Sequence, residues 1–280
     1  MVNAIEVKDV SKKIGKFELQ NISFEVEQGT VMGLIGQNGA GKSSIIRCIL
    51  NLFKKTSGEI TIFGKDHAHF ETEIREDLGI VFDELHVPDN LTAIDLDKIY
   101  QKVYKRWDSE FFFSLLDRFD ISKYDKVKAM SRGMKMKLAI VLALSHHPKM
   151  LLLDEPTSGL DPIVRDEMLD LLLGFMEDET HSILFSSHIT SDLEKIADTI
   201  TFIHKGEVLF TETKDSLLYD YGLWKGTKEQ ATEIPSHAIV GKRPGTFGIE
   251  LLVKREFVSQ AFPLERPTIE EIMVFQVKGG

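Results

Sequence analysis

The stretch TVMGLIGQNGAGKSSIIRCILNLF, residues 30–53, constrains the fold more than any other. An apolar run enters a glycine-rich loop, and apolar residues at helical spacing follow it: Ile45, Ile46, Ile49 and Leu50. The order implied is strand, loop, helix. In that context Gly36, Gly41, Lys42 and Ser43 fit G-x-x-x-x-G-K-[ST], the pattern of a loop that cradles phosphates. Backbone N–H groups can wrap a triphosphate closely only where side chains are absent, which accounts for the glycines. The helix behind the loop directs its positive N-terminal dipole at the same place. Gly36, Gln37, Asn38, Gly39, Ala40, Gly41, Lys42, Ser43 and Ser44 are the expected nucleotide cradle. Lys42 is assigned to the β- and γ-phosphates, and the Ser43 hydroxyl to Mg²⁺.

A second apolar run, MLLLDE at 150–155, ends in Asp154 and Glu155. Carboxylates placed directly after buried apolar residues are costly unless they meet a cation or water. Alone, the run could be a strand leading out into solvent. Beside a phosphate loop, Asp154 reads as a group near Mg²⁺ and Glu155 as the general base that polarises the attacking water. The next apolar strand, SILFSSH, ends in His188. An isolated histidine there reads as a core or surface residue. At the sheet edge where ligands of open α/β sheets collect, it becomes a candidate γ-phosphate contact.

Apolar runs without alternation, separated by helices, predict a mainly parallel sheet covered on both faces. Residues 4–35 read as short strands, and the pattern turns helical from about Asp89 to His147, an insertion spanning about 88–148. After about Lys205 come a hairpin arm, GEVLFTET, and a short helix, KDSLLYDYG. LWKGTKEQ, AIVGKR and GIELLVKRE read as short strands. PTIEEIMVFQVKGG reads as a closing helix, with Pro267 near its start and glycines after its end. The expected division is 1–212 for the main domain and 213–280 for a small accessory subdomain.

The net charge of −10 disfavours a dedicated nucleic-acid binder. The longest apolar runs, such as LAIVLAL at 138–144, fall far short of a membrane span. No basic segment precedes a long apolar stretch at the start, so no secretory signal is visible. The only cysteine, Cys48, cannot form an internal disulfide and reads as a buried small hydrophobe in a reducing compartment. A cytoplasmic protein is expected.

Together the motifs resemble those of the nucleotide-binding subunit of an ATP-binding cassette (ABC) transporter, over about residues 3–212. They stand in the family's order: GQNGAGKS (36–43), a Q-loop-like GIVFDE (79–84), a signature-like MSRGM (130–134), the Walker B run MLLLDE (150–155), the D-loop SGLD (158–161) and the switch histidine His188. The resemblance implies an α/β P-loop NTPase. Its parts would be an ABC-type, mainly parallel core sheet, an antiparallel β subdomain, an inserted helical subdomain and a small C-terminal α/β appendage. It implies ATP hydrolysis with Mg²⁺ in a head-to-tail dimer with a second copy or a homologous cassette. Each ATP would lie between the phosphate loop of one chain and the signature of the other, so Ser131 and Gly133 would act in trans at a helix N-terminus. The implied partner is a separate transmembrane permease, with the chain peripheral on the inner face of the membrane.

Several positions depart from the usual motifs. The signature is usually L-S-G-G-Q, and here Met130, Arg132 and Met134 replace its first, third and fifth residues. Arg132 either adds charge near the trans phosphates or is a surface residue. The Q-loop glutamine is replaced by Asp83, which can ligate Mg²⁺ or water but also repels the γ-phosphate. Ile14 stands where a tyrosine usually stacks on adenine, and Phe17 is the nearest aromatic. The MSRGMK form, the lone cassette and the ending PTIEEIMVF resemble bacterial ABC-2-type export ATPases. The resemblance is especially to those of Gram-positive bacteria that export antimicrobial or amphipathic toxin peptides. The alternative is a soluble cassette protein acting on ribosomes or DNA, but such proteins usually carry two cassettes, long coiled coils or zinc insertions. This chain shows one cassette, no heptad run and no CxxC pair. A P-loop kinase, the third reading, lacks the signature and D-loop elements.

Overall fold

Strands that read as unbroken apolar runs should be covered on both faces, and β3, β7 and β8 are buried throughout. The computed structural model describes residues 3–245 and 248–278. A long hairpin, β1 (Asn3–Ile14) and β2 (Phe17–Glu27), turns at Gly15 with φ 60°. Next come β3 (Val31–Ile35), α1 (Lys42–Ile49), β4 (Ser57–Ile62), the two-residue β5 (Lys65–Asp66), α2 (Glu71–Glu76) and β6 (Leu78–Val81). The helical stretch holds α3 (Ala93–Val103), α4 (Ser109–Arg118) and α5 (Arg132–Leu144). Then follow β7 (Met150–Asp154), α6 (Pro162–Phe175), β8 (Ser182–Ser187), α7 (Thr190–Ile196), β9 (Thr199–His204) and β10 (Glu207–Thr213). The remainder is α8 (Lys214–Tyr219), β11 (Tyr221–Gly226), α9 (Lys228–Ala231), β12 (Ile239–Gly245), β13 (Gly248–Lys254) and α10 (Ile269–Lys278).

The strands form three sheets, ordered β2-β1-β4-β5, β10-β9-β3-β8-β7-β6 and β11-β13-β12. In the central sheet every pairing is parallel except that of β10 with β9. Side chains of one strand alternate between faces. Along β7, Leu151 and Leu153 therefore enter a core shared with α4, α5 and α6, while Met150 and Leu152 enter one shared with α1 and the β1–β2 hairpin. Cys48 belongs to the second core, where burial pushes its thiol pKa up. No helix among the described residues is long and apolar enough to cross a membrane.

Two segments differ from the sequence expectation. β9, TITFIH, lies outside the strands read from the sequence; its threonines interrupt the apolar run, yet Thr201 is buried and bonds Thr211 Oγ1 at 2.9 Å. LWKGTKEQ is strand only to Gly226. Thr227 then caps α9, accepting from the Gln230 N–H while its own N–H donates to the Gln230 side chain. That reciprocal cap outweighs the strand pattern.

The C-terminal segment docks on its own chain. A reciprocal cap between Thr268 and Glu271 starts α10, and the Ile269 N–H donates to Glu194 on α7 at 3.3 Å. Ile269, Ile272 and Phe275 enter the same core as β7, while Trp224, Ile234, Leu251 and Val253 form a smaller cluster beside it. Gly279 and Gly280 lie outside the described residues. Phe275 is 1% exposed, so Phe275→Ala should lower unfolding free energy by about 3–5 kcal/mol in urea titration. A loss under about 1 kcal/mol would mean that α10 is peripheral to the fold.

His146, 1% exposed, stacks on Tyr104 with ring centroids 4.0 Å apart, and its Nε2 meets the Leu78 carbonyl at 2.9 Å. Burial holds its pKa down to about 4 from 6.5. As pH falls through that window the unfolded chain takes up a proton that the folded chain refuses. Up to about 3 kcal/mol of stability should therefore be lost between pH 6.5 and 4. His146→Phe should flatten this part of the stability–pH profile measured by denaturant titration; an unchanged slope would assign it to other groups.

Candidate nucleotide site

The phosphate loop spans the gap between β3 and α1. A Cβ on Gly36 would lie 2.4 Å from the Ile203 carbonyl oxygen, so the loop can pass there only as glycine. Gly41 has φ 119°, and a Cβ on it would strike Leu19 and the Phe17 ring. Gly36, Ala40 and Gly41 are buried, while Gln37, Asn38 and Gly39 face outward.

Lys42 is 5% exposed and folds back over this loop. Its Nζ donates to the Gly36 carbonyl at 2.7 Å and to that of Gln37 at 3.4 Å, and stands 2.9 Å from Glu155 Oε1. The other oxygen, Glu155 Oε2, lies 2.6 Å from His188 Nδ1 and accepts from the His188 N–H at 3.3 Å. One carboxylate thus joins the lysine of the phosphate loop to the histidine after β8. Glu155 itself has φ 52°, a costly conformation for a residue with a side chain. It is held there by its N–H, which bonds the Ser186 carbonyl at 3.1 Å and the Ser186 hydroxyl at 3.2 Å.

Asp154, at the end of β7, is 1% exposed and accepts from Ser43 Oγ at 3.0 Å and Ser186 Oγ at 2.8 Å. Burial pushes its carboxyl pKa up, opposed by the two hydroxyls and reinforced by the negative charges of Asp83 and Glu155. The Ser43 hydroxyl and the Asp154 carboxylate are oxygen donors of the kind a hard divalent cation such as Mg²⁺ takes, while the charge of Glu155 is already met by Lys42. Among the described residues no cluster of three or more His, Cys, Asp or Glu side chains forms a ready metal site.

Phe17, Asn38, Gly39, Gly41, Lys42, Ser43, Ser44, Glu155 and His188 surround one cavity of about 570 Å³, joined by Asp83 and Arg132. Ile14 pairs with Phe17 across the hairpin but does not line the cavity, leaving Phe17 as its aromatic wall. Ser131 and Gly133 do not line it either. Ser131 caps α5, its Oγ accepting from the Met134 N–H at 3.2 Å, which leaves the hydroxyl hydrogen free to donate outward. Met130 is buried at the base of the signature, so its replacement of leucine serves packing.

Sequence reasoning missed two supports. Ser186 carries both Asp154 and Glu155. Asp192 on α7 is fully buried, accepts from Thr157 Oγ1 at 2.6 Å and pairs with Arg165, tying the helix after His188 to the loop after Glu155. Asp192 reads in TSDLEKIAD as an ordinary surface acid of a short helix. Only the buried position distinguishes it.

Residues 19–158 match the family described as ABC transporter. The chain is 36% identical over 214 residues to the lantibiotic transport ATP-binding protein SrtF of Streptococcus pyogenes, covering 75% of this chain and 91% of that protein. It is 35% identical over 212 residues to the bacitracin transport ATP-binding protein BcrA of Bacillus licheniformis, covering 75% of this chain and 69% of that one. A solved ATP-binding subunit of an ABC transporter aligns with a TM-score of 0.70 at 29% identity, covering 76% of this chain and 91% of the other.

Proposed function

The chain belongs to the ABC transporter family as an ATP-binding, ATP-hydrolysing subunit, and from that premise we propose that it drives export through a separate transmembrane permease. The observation that carries the catalytic part is the single carboxylate of Glu155 shared by Lys42 and His188 beside Asp154 and Ser43.

In this reading the loop N–H groups and Lys42 bind the phosphates of ATP, and Phe17 packs toward the base. Ser43 and Asp154 would hold Mg²⁺, with Asp83 near it. The metal supplies neutralising charge for the phosphate oxygens. Lys42 must leave Glu155 to meet phosphate, which frees Oε1 to orient water and take its proton. His188 Nδ1 steadies the other oxygen. Ser131 and Gly133 complete the site from a second cassette, so ATP closes a dimer and hydrolysis opens it. The division at residue 212, with 213–280 as an accessory subdomain, belongs to the same reading.

The cargo we propose is an amphipathic antimicrobial peptide, supported by the names of the two transport relatives. The chain would work peripherally at the inner face of the membrane. Affinity purification of the tagged chain from its own cells, in mild detergent, should recover a polytopic membrane protein. Recovery with ribosomes or DNA would overturn the transport reading. A deletion strain should export peptide less well or become more sensitive to it; unchanged export and sensitivity would remove the peptide assignment alone.

A further inference from the structure

Asp192 is a fully buried acid whose two oxygens are both engaged. Oδ2 accepts from Thr157 Oγ1 at 2.6 Å, and Oδ1 accepts from the Arg165 guanidinium, whose Nη2 also donates to Ser191 Oγ at 2.6 Å. Asp192 follows His188 by four residues, Thr157 follows Glu155 by two, and Arg165 lies on α6 beyond the D-loop SGLD. One carboxylate therefore grips the segment 157–165 at both ends and fixes it to the helix that His188 leads into. A tight turn carries this hold to Glu155. The Ser158 N–H donates to the Glu155 carbonyl at 3.1 Å, so a shift at Thr157 is passed to Glu155. On the other side the Ile189 N–H donates to Ser187 Oγ at 2.9 Å, closing the turn that presents His188 ahead of α7. Thr157 is 1% exposed, so a lost bond there leaves the acid oxygen unsatisfied rather than hydrated.

We propose that Asp192 is a positioning residue for hydrolysis: through Thr157 it keeps the Glu155 carboxylate in register with His188, 2.6 Å away. The proposal rests on reading Glu155 as the base that takes a proton from water. The paired ladder of β7 and β8 ends at Asp154 and Ser186, so the sheet does not set the register of the residues beyond it. Glu155 also holds φ 52°, a conformation that its surroundings must enforce. A buried ion pair adds little stability over a well-packed apolar contact. What the Asp192 bridge supplies is alignment of the two loops. Among the described residues, none of its hydrogen bonds reaches the phosphate loop or Lys42. Its loss should therefore slow the chemical step and leave ATP binding in place.

Asp192→Ala would leave Arg165 without its partner, so the near-isosteric Thr157→Val, which keeps that ion pair, is the sharper probe. In the full chain, assayed with radiolabelled ATP, Thr157→Val should lower kcat about 10-fold, the scale of one hydrogen bond to a charged group. Equilibrium ATP affinity should stay within about twofold of the parent. Thr157→Ser, which keeps the hydroxyl, should recover kcat to within about threefold. In a His188→Ala background the further loss from Thr157→Val should shrink to within about twofold, because no partner remains to align. An equal loss that persists without His188 overturns the proposal. So does a Thr157→Ser variant as slow as Thr157→Val, or an affinity that falls in step with kcat. Asp192→Asn, a second variant that keeps the shape but not the charge, should show the same split between kcat and affinity; parent turnover there also overturns the proposal. Glu155→Gln is run alongside. If it hydrolyses ATP like the parent, the reading of the base fails; if it is slow while Thr157→Val is not, only the Asp192 proposal fails.

Discussion

Glu155→Gln should lower ATP turnover by about 10²–10³-fold while nucleotide affinity holds or rises. The amide has nearly the shape of the carboxylate and can keep a hydrogen bond with His188, so the loop around it stays in place. What it loses is the ability to take a proton from water. It also loses the charge that holds Lys42 at 2.9 Å, so the lysine is released to phosphate at less cost. Binding survives and the step that ends it does not, so ATP should trap a dimer visible by size-exclusion chromatography. Wild-type turnover in this variant would show that another group receives the proton.

Lys42→Ala acts at the opposite end of the same contact. The lysine is 5% exposed and its three contacts are the Gly36 and Gln37 carbonyls and the Glu155 carboxylate. It is poised at the mouth of a cradle whose other donors are uncharged N–H groups. Removing it should weaken ATP binding by about 10²-fold, the scale of a lost charge-assisted contact to phosphate. The protein should remain folded, because Glu155 keeps His188 and Ser186 as partners. Unchanged affinity in a nucleotide titration would remove Lys42 from the site.

What the sequence made legible was local. The strand, loop and helix from Val31 to Ile49 are contiguous, and the apolar run before Asp154 announces its own burial. Glycine at 36 and 41 follows from chain packing that the motif encodes directly. What stayed hidden depends on residues far apart in the chain. No pattern around Glu155 says that it joins Lys42 to His188, and nothing around Asp192 says that Thr157 and Arg165 await it. Arg132 read either as a charge near the trans phosphates or as a surface residue, and nothing in the local pattern says that its exposed guanidinium rests on Gly159 of its own chain. The C-terminal segment is the least regular in pattern because its apolar residues serve two different cores, as Phe275 and Trp224 show.

The docking of α10 has a consequence for synthesis. Ile269, Ile272 and Phe275 fill a core whose other walls are made much earlier in translation. Until Ile269–Lys278 has emerged from the exit tunnel, the nascent chain carries an open apolar face beside α7, a target for chaperones and proteases. A message cut short before that helix would yield a product bearing every nucleotide motif and cleared by quality control.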